Sequence, residues 1–435
     1  MKKIFNFIGK TIMFFLLIFV VSCSDNEVEP IFEQSINERT EALKSNYQDI
    51  LTKPQNGWIG YYSPNNTFGA YAMVMDFDRD GYVKINSDYN NGADDNTITY
   101  RLDKTLKIEM VLESFAVFHE IFSLNNNSNQ GEFVFNILSA SDEEIILESK
   151  LDYGNDITIL TLRPADSDAS NFESVYESEE NIAGDGTQSV FRNILLNEDV
   201  IGTFSFNPDT RLTMVSYVNA DGVIVSKSAP IAITPSGFYF LSPLEINGTV
   251  LSDFTFDDIN NEYVNTAKGL KIIYDIVPGI PLAPYKFGEI RNNARYNFLE
   301  PNKSSLAFRD LYNQLTAQFT ADTGGFTISR VYMRSLNDGT IPYIQFYIPT
   351  STGDFRAYYD IEITIVDGIA SFNLTGPTNA PGFIDVALQP LINLFIGSSS
   401  GYYIKGTGGL QTFTNGTFSL INVDNPSIEI NYYDF

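Results

Sequence analysis

The sequence predicts a mainly β protein, built of antiparallel sandwich-like or barrel-like domains with an N-terminal helix and a few additional helices. Three observations favour this class. Apolar and polar residues alternate in many short segments, turn-forming pairs recur between those segments, and strands do not alternate regularly with helices. Asp-Gly and Asn-Gly suit two-residue hairpin turns because both tolerate positive φ angles. Asp-Gly begins at positions 80, 185, 221, 338 and 367, and Asn-Gly at 56, 91, 247 and 415.

The composition indicates a folded, acidic protein. The chain has 435 residues, of which 43% are hydrophobic, and its net charge is −27. This length is enough for two or three domains. The negative charge repels phosphate backbones, and no basic patch offsets it, so we do not expect a nucleic-acid partner. A single cysteine rules out an intramolecular disulfide.

Residues 1–22 are typical of a bacterial lipoprotein signal peptide. Lys2 and Lys3 precede the apolar run Ile12–Val21, whose ten residues are too few to span a bilayer as a helix. A small residue and Cys23 follow. In bacterial lipoproteins a cysteine at this position is acylated, and several acyl chains hold a protein stably on a membrane. We therefore predict Cys23 as the lipidation site. The alternative is an ordinary secretory signal with an unmodified cysteine.

Residues 23–34 are predicted to be an acidic flexible tether. The segment SDNEVEP directly after the cysteine carries three carboxylates and no base. It resembles the acidic export signal of surface-exposed lipoproteins of the Bacteroidota. This resemblance implies the outer membrane as the location, with the protein facing the cell exterior.

Residues 35–163 are predicted to form an N-terminal helix followed by a β domain. Ser35 and Glu38 have the spacing of a capping box, in which each side chain accepts from the other residue's backbone N–H. The period of the hydrophobic pattern changes to two after Trp58. Tyr71–Phe77 then leads through Asp80-Gly81 into a second strand, which predicts a hairpin.

The remaining chain divides into a linker and two further domains. Residues 164–180 are polar and are predicted to be a linker or long loop. Residues 181–300 are predicted to form a middle β domain, and residues 301–435 a C-terminal domain with a helix and a β part. Ser304 or Ser305 can cap that helix. Asp367-Gly368 lies between two alternating segments and predicts a type I′ hairpin.

One acidic cluster has part of the pattern of a calcium loop. Asp76, Asp78 and Asp80 precede Gly81 in the order D-x-D-x-D-G, but position 12 of the loop holds Ser87 where an EF-hand requires glutamate. The flanking segments are predicted strands. The three aspartates are therefore a weak calcium candidate, with an acidic hairpin turn as the alternative, and no other cofactor is predicted.

No arrangement of residues predicts a known catalytic site. Gly397–Gly401 matches the pattern G-x-S-x-G, but His119 is the only histidine and lies far upstream, against the Ser, acid, His order of α/β-hydrolases. A zinc protease of the H-E-x-x-H type needs two histidines. A pair of carboxylates for glycoside hydrolysis cannot be identified among 54 acidic residues. We therefore do not expect an enzyme.

Adjacent tyrosines are weak candidates for a ligand-binding surface. Neighbouring residues of a strand face opposite sides, so one tyrosine of each pair is expected to be exposed. A tyrosine ring offers an apolar face and a hydroxyl, which suit a sugar ring or a peptide. Stabilisation of the sheet surface is the alternative role. The candidate residues are Tyr61, Tyr62, Tyr402 and Tyr403.

Several segments together resemble a known family. In order and spacing they are similar to a Bacteroidota lipoprotein family, domain of unknown function 4302. The segments are Glu38-Arg39, Asn56-Gly57-Trp58, FDRDGYVKINSDY, ESFAVFHEIFS, GEFVFNILSASDEEIILESK and PSGFYFLSPLEINGTVLSDFTFDD. The resemblance implies association with SusC/SusD-like outer-membrane uptake systems. It does not identify any residue of this chain as catalytic.

These observations predict a surface-exposed outer-membrane lipoprotein without catalytic activity. Its expected role is binding or assembly within a system that takes up a nutrient, either a glycan or a peptide. The alternatives are a carboxylate-based glycan hydrolase and a structural or adhesive surface protein.

Overall fold

A computed structural model of the chain describes residues 35–152, 157–285, 294–298, 301–335, 341–408 and 416–434. Residues 50–435 form a compact unit that contains three closed barrels, each of eight antiparallel strands. Within each barrel the strands pair with their neighbours in chain order, and the last strand pairs with the first. The predicted class, mainly antiparallel β with an N-terminal helix and a few more helices, is confirmed.

The N-terminal helix α1 covers Ile36–Leu51. The expected capping box is present, because Glu38 N donates to Ser35 Oγ at 3.2 Å and Ser35 N donates to Glu38 Oε2 at 2.8 Å. Barrel 1 follows, with the short helix α2 at Val117–Ser123 between its fifth and sixth strands. Its strands are β1 Trp58–Tyr62, β2 Tyr71–Phe77, β3 Tyr82–Ser87, β4 Asn96–Lys104, β5 Ile108–Leu112, β6 Val134–Ala140, β7 Ile145–Ser149 and β8 Ile159–Pro164.

Helix α3 covers Glu173–Ala183 and begins inside the polar segment 164–180, for which the sequence predicts a linker or long loop. Val175 and Ile182 lie seven positions apart, so they share one side of the helix, and both are buried. Barrel 2 comes next. Its strands are β9 Phe191–Leu196, β10 Asp199–Asn207, β11 Leu212–Val218, β12 Ile224–Thr234, β13 Gly237–Ile246, β14 Thr249–Asp257, β15 Glu262–Asn265 and β16 Leu270–Asp275.

Barrels 1 and 2 are joined by a shared apolar core. In β2, Met73 and Met75 face the interior of barrel 1, opposite Gly60 and Trp58 of β1. Ala72 and Val74 face outward, yet both are buried because they belong to the cluster that contains α3 and the interior of barrel 2. A strand buried on both faces fixes one barrel against the other.

Barrel 3 packs against two helices. Helix α4 covers Leu306–Asp322 and helix α5 covers Gly382–Ile396. Ser305 caps α4, since Phe308 N donates to Ser305 Oγ at 3.3 Å. Both helices share one apolar cluster with the strands of the barrel. The strands are β17 Ala294–Phe298, β18 Arg330–Ser335, β19 Tyr343–Thr350, β20 Gly353–Val366, β21 Ile369–Leu374, β22 Tyr402–Gly408, β23 Thr417–Asn422 and β24 Glu429–Asp434.

The hairpin predicted in the C-terminal region is confirmed as the β20–β21 connection. Val366 pairs with Ile369, and the two turn residues Asp367 and Gly368 have φ angles of 50° and 80°. Positive φ at both central positions is the geometry of a type I′ turn.

None of the helices in the described part of the chain has both the length and the apolar character needed to span a bilayer.

Candidate functional site

A polar cleft of about 1030 Å³ lies between barrels 1 and 2. Strands β1, β7 and β8 form one wall with their outward-facing side chains, and β12 and β13 contribute the other. Uncharged polar side chains dominate the lining. The lining residues are Tyr61, Ser63, Asn65, Asn66, Thr67, Ser128, Gln130, Glu144, Ile146, Ile157, Thr158, Ile159, Thr161, Arg163, Pro230, Tyr239, Leu241 and Ser242.

Side chains alternate between the two faces of β1, and this alternation places Tyr61 in the cleft. Trp58 and Tyr62 point into barrel 1, where each is 0% exposed. Trp58 Nε1 donates to Leu51 O at 2.8 Å, and Tyr62 Oη accepts from Glu132 N at 2.8 Å. Because side chains of a strand alternate, fixing these two residues inside the barrel leaves Tyr61 on the outside, facing barrel 2.

Tyr61 meets Tyr239 of β13 across the cleft. Their ring centroids are 5.5 Å apart and the ring planes are inclined by 79°, an edge-to-face contact. Burial raises the pKa of Tyr239 to about 12 and raises that of Tyr61 as well. Both phenols therefore keep their protons at neutral pH and can donate hydrogen bonds to a bound molecule.

Hydrogen bonds organise the loop after β1 that forms one rim of the cleft. Asn65 Oδ1 accepts from Thr67 N at 2.8 Å, and Asn65 Nδ2 donates to Asn129 O at 2.7 Å. Thr158 Oγ1 donates to Pro64 O at 2.6 Å, which ties the rim to the segment that leads into β8. A loop held by this many contacts offers its polar groups in a preformed arrangement.

The charged groups of the cleft are paired with each other. Arg163 Nη2 lies 3.2 Å from Glu144 Oε2, and both side chains are partly exposed. Among the described residues that line the cleft, Glu144 is the only carboxylate. A positive and a negative group side by side add hydrogen-bond donors and acceptors without giving the cleft a net charge.

The four candidate tyrosines occupy two kinds of position. Tyr62 and Tyr402 are each 0% exposed, and Tyr402 Oη accepts from Ser398 N at 3.1 Å. Tyr61 and Tyr403 face outward toward barrel 2. Tyr403 makes an edge-to-face contact with Phe191 of β9, with centroids 5.5 Å apart. Of the four, Tyr61 is the one that lines the polar cleft.

The three aspartates of the calcium candidate lie at the β2–β3 hairpin. Asp78 Oδ1 accepts from Asp80 N at 2.9 Å and from Tyr82 N at 2.8 Å, so this carboxylate organises the turn. Asp76 lies on β2, where it pairs with Lys84 of β3. The described residues contain no group of three His, Cys, Asp or Glu side chains placed to hold a metal ion. Cys23, the predicted lipidation site, lies outside the described residues.

Gly397–Gly401 connects the end of α5 to β22, the reverse of the strand-to-helix order of a nucleophile elbow. Its serines bind Asp424, with Ser399 Oγ donating to Asp424 Oδ2 at 3.0 Å. These contacts lower the pKa of Asp424. His119 belongs to α2 in barrel 1, where its ring stacks on Phe133 at 4.5 Å. The motif is a turn that holds an aspartate.

Sequence reasoning missed most of the cleft. Tyr239 lies on β13, but only the packing of two barrels makes the outer face of that strand part of a cleft. Asn65 and Thr67 lie in a polar loop, and Arg163 lies near the end of β8. Their local sequences contain no signal that distinguishes them from other surface residues.

A family model described as a domain of unknown function (DUF4302) matches residues 28–258. The match covers more than half of the 435 residues. The chain belongs to the DUF4302 family. The DUF4302 match contains barrel 1, α3 and strands β9–β14 of barrel 2. Both walls of the polar cleft therefore lie inside the DUF4302 region, whereas barrel 3 lies beyond it.

Comparison with curated proteins finds no match. Among solved structures, the chain is similar to the isotype 1 transferrin-binding protein B of serogroup B Neisseria meningitidis. The sequence identity is 12% and the TM-score is 0.12, over 84% of this chain and 65% of that structure. The chain thus spans just under two thirds of the length of that protein.

Proposed function

We propose that the protein captures an oligosaccharide in the cleft between barrels 1 and 2. This proposal rests on the lining of the polar cleft, in which hydroxyl and amide groups surround the pair Tyr61 and Tyr239. A sugar ring presents both hydroxyls and apolar C–H faces, so it matches a polar wall with aromatic rings beside it. The volume of about 1030 Å³ is enough for several sugar units.

The cleft favours binding over hydrolysis. Glycoside hydrolysis by carboxylates requires two acidic groups about 5–10 Å apart, one on each side of the scissile bond. Glu144 has no second carboxylate among the described lining residues, and Arg163 holds it in an ion pair.

We further propose that the protein is anchored through Cys23 to the outer face of an outer membrane. There it would serve as an accessory component of a SusC/SusD-like uptake system. The lipoprotein-like segment around Cys23 and the resemblance to Bacteroidota lipoproteins support this placement. A binding cleft in an anchored protein would raise the concentration of a glycan beside a transporter.

The proposed ligand class can be tested by affinity gel electrophoresis of the mature chain in gels that contain neutral polysaccharides. Suitable polysaccharides are starch, xylan, mannan, levan and mixed-linkage glucan, with isothermal titration of the matching oligosaccharides. We expect at least one polysaccharide to retard the protein. A tryptic digest of casein serves as the peptide comparison.

A matched pair of variants locates the binding site. Thr161 lies on the outward side of β8 and lines the cleft, whereas Thr97 lies on the outward side of β4, away from the described lining. Thr161→Trp fills the cleft and is expected to abolish retardation, and Thr97→Trp is expected to leave it intact. The proposal fails if no neutral polysaccharide binds, if Thr161→Trp binds as the wild type does, or if casein peptides bind instead.

A further inference from the structure

A second cavity, of about 500 Å³, lies at the junction of barrels 2 and 3. Strands β9, β10 and β16 of barrel 2 form one side, and the start of α4 with strands β22 and β24 of barrel 3 forms the other. This junction cavity shares no lining residue with the polar cleft. Binding in the junction cavity can therefore be tested separately from binding of the proposed glycan in the polar cleft.

Basic side chains outnumber acidic ones in the described lining of the junction cavity, although the chain carries a net charge of −27. Two carboxylates, Asp209 and Glu429, also line it. Glu429 Oε1 lies 3.2 Å from Lys405 Nζ, so that pair is neutral. Arg309 Nε lies 3.6 Å from Oδ1 of Asp310, a residue outside the lining. The four basic residues are Arg192, Lys303, Arg309 and Lys405.

Arg192 is the central observation, because it is buried and has no anionic partner in the part of the chain that the structure describes. The residue is 7% exposed, and its guanidinium lies over the ring of Tyr274 at 4.5 Å and that of Phe204 at 5.7 Å. Tyr274 Oη accepts one of its N–H groups. Among the described residues, none of the ion pairs within 4.0 Å involves Arg192.

A buried cation without a counter-charge is costly, and proteins normally supply a carboxylate. The obvious local candidate is Asp275, next to Tyr274, but Asn193 Nδ2 donates to Asp275 Oδ2 at 2.9 Å. Arginine presents five N–H donors in a planar fork that matches two oxygens of an oxyanion. A bound anion would supply the charge that the fold leaves out.

Two further features favour an anion in the same cavity. Helix α4 begins here, and the first turn of a helix attracts negative charge because its N–H groups are not used within the helix. Arg309, in the first turn of α4, lines the cavity and is partly exposed. Phe204 and Phe206 add apolar surface that suits the body of a small organic molecule.

We propose that the junction cavity binds the carboxylate or sulfate group of a small hydroxylated molecule, such as an acidic or sulfated sugar. Arg192 provides the buried charge, and Arg309 with the N-terminus of α4 provides the second contact. This site is distinct from the cleft for a neutral glycan and uses barrel 3, which lies outside the DUF4302 match.

The test is isothermal titration of the full mature chain with D-glucuronate, D-glucose 6-sulfate and D-glucose. We expect one or both anions to bind and glucose not to bind at this site. Arg192→Met and Arg309→Met should each lower the affinity for the anion by about tenfold or more, because a charge-assisted hydrogen bond is lost. Arg101→Met removes an equal charge from an exposed pair on barrel 1 and should change little.

The outcomes separate the two proposals. Anion binding that survives Thr161→Trp but is lost in Arg192→Met supports the junction cavity, whatever the polar cleft binds. If Arg192→Met does not fold, Arg309→Met alone tests the proposal. Arg309 is partly exposed, so its replacement is expected to leave the fold intact. The inference is overturned if neither anion binds the wild type, if glucose competes with the anion, or if Arg101→Met loses as much affinity as the cavity variants.

Discussion

Arg211 of barrel 2 lies in a buried ion pair with Asp88 of barrel 1, with Nη1 and Oδ2 2.6 Å apart. Their side chains are 4% and 1% exposed. Arg211 Nε also donates to Glu179 Oε1 of α3 at 2.8 Å, and Ala72 N donates to Asp88 Oδ1 at 2.8 Å. Barrel 1, α3 and the turn between β10 and β11 therefore meet at one guanidinium.

Removing this arginine is expected to destabilise the protein strongly. Burial raises the pKa of Asp88, and Arg211 opposes that increase, so Arg211→Met leaves a buried carboxyl without its counter-charge. We expect the free energy of unfolding to fall by about 3–5 kcal/mol. Urea denaturation followed by tryptophan fluorescence measures the change, since Trp58 is the only tryptophan and is buried.

An exposed pair provides the control for this prediction. Lys53 and Asp142 form an ion pair on barrel 1 with side chains 59% and 57% exposed. Lys53→Met should change the free energy of unfolding by less than about 1 kcal/mol. The double variant Arg211→Met with Asp88→Asn should recover part of the loss. Equal effects of Arg211→Met and Lys53→Met would show that the buried network contributes nothing beyond surface charge.

The ion pair illustrates which part of the fold the sequence predicts. The capping box of Ser35 and Glu38 and the turn at Asp367-Gly368 depend on residues within three positions of each other, and both were predicted. Asp88 and Arg211 are 123 positions apart, and nothing in either local segment indicates the contact. Closure of each barrel by its first and last strands is likewise a long-range relation.

Gly69 allows the close approach of barrel 1 to the turn that carries Arg211. A Cβ atom at Gly69 would lie 2.4 Å from Thr210 O and 2.6 Å from Arg211 Cβ. Gly69→Ala is therefore expected to lower stability by about 1–3 kcal/mol through overpacking. Differential scanning calorimetry measures the shift. Gly382→Ala is the control, because its added Cβ meets nothing within 4 Å beyond its chain neighbours and the backbone of its own helix. A melting temperature unchanged in both variants would contradict this packing.

Helix α3 and the polar cleft show why the remaining structure could not be predicted. Residues 164–180 are polar enough to suggest a linker, and the apolar stripe of α3 contains few residues, chiefly Val175 and Ile182. Tertiary packing against barrel 2 provides the stability that local propensity does not. The cleft follows the same rule. Tyr61 was a candidate from its strand position, but its partner Tyr239 became identifiable only when the barrels were placed together.

His119 is expected to make stability depend on pH. Burial lowers its pKa from the ordinary 6.5, and the contact of Nε2 with Leu112 O at 3.2 Å offsets only part of this effect. Among the described residues, the buried Nδ1 has no hydrogen-bond partner. The unfolded chain thus takes up a proton at a higher pH than the folded chain. Stability that is present above pH 6.5 should therefore be lost as the pH falls toward the lowered value.

The comparison that isolates this effect is His119→Gln, which retains a donor for Leu112 O. The difference in unfolding free energy between wild type and variant should shrink as the pH falls through the range below 6.5. Above that range the difference should be constant. A difference that stays constant through the whole range would mean that the imidazole titrates alike in the folded and unfolded chain.

Cys23→Ala is expected to release the protein from the membrane. Several acyl chains on one cysteine contribute about 0.8 kcal/mol per buried methylene, and no other anchor is proposed. Fractionation of cells should find the wild type in the membrane pellet and the variant in the soluble fraction. Labelling with an alkyne fatty acid should be lost in parallel. Ser24→Ala keeps the thiol and should remain membrane-bound, and a Cys23→Ala variant that stays in the pellet would refute lipidation as the anchor.

The acidic residues after Cys23 are expected to determine the side of the membrane that the protein faces. Neutralising them as Asp25→Asn, Glu27→Gln and Glu29→Gln keeps their size and removes three charges. Because Cys23 is unchanged, the variant should stay in the membrane pellet. Proteinase K added to intact cells should digest the wild type and spare the variant, while a periplasmic marker remains whole. Equal digestion of both forms would show that export does not depend on these charges.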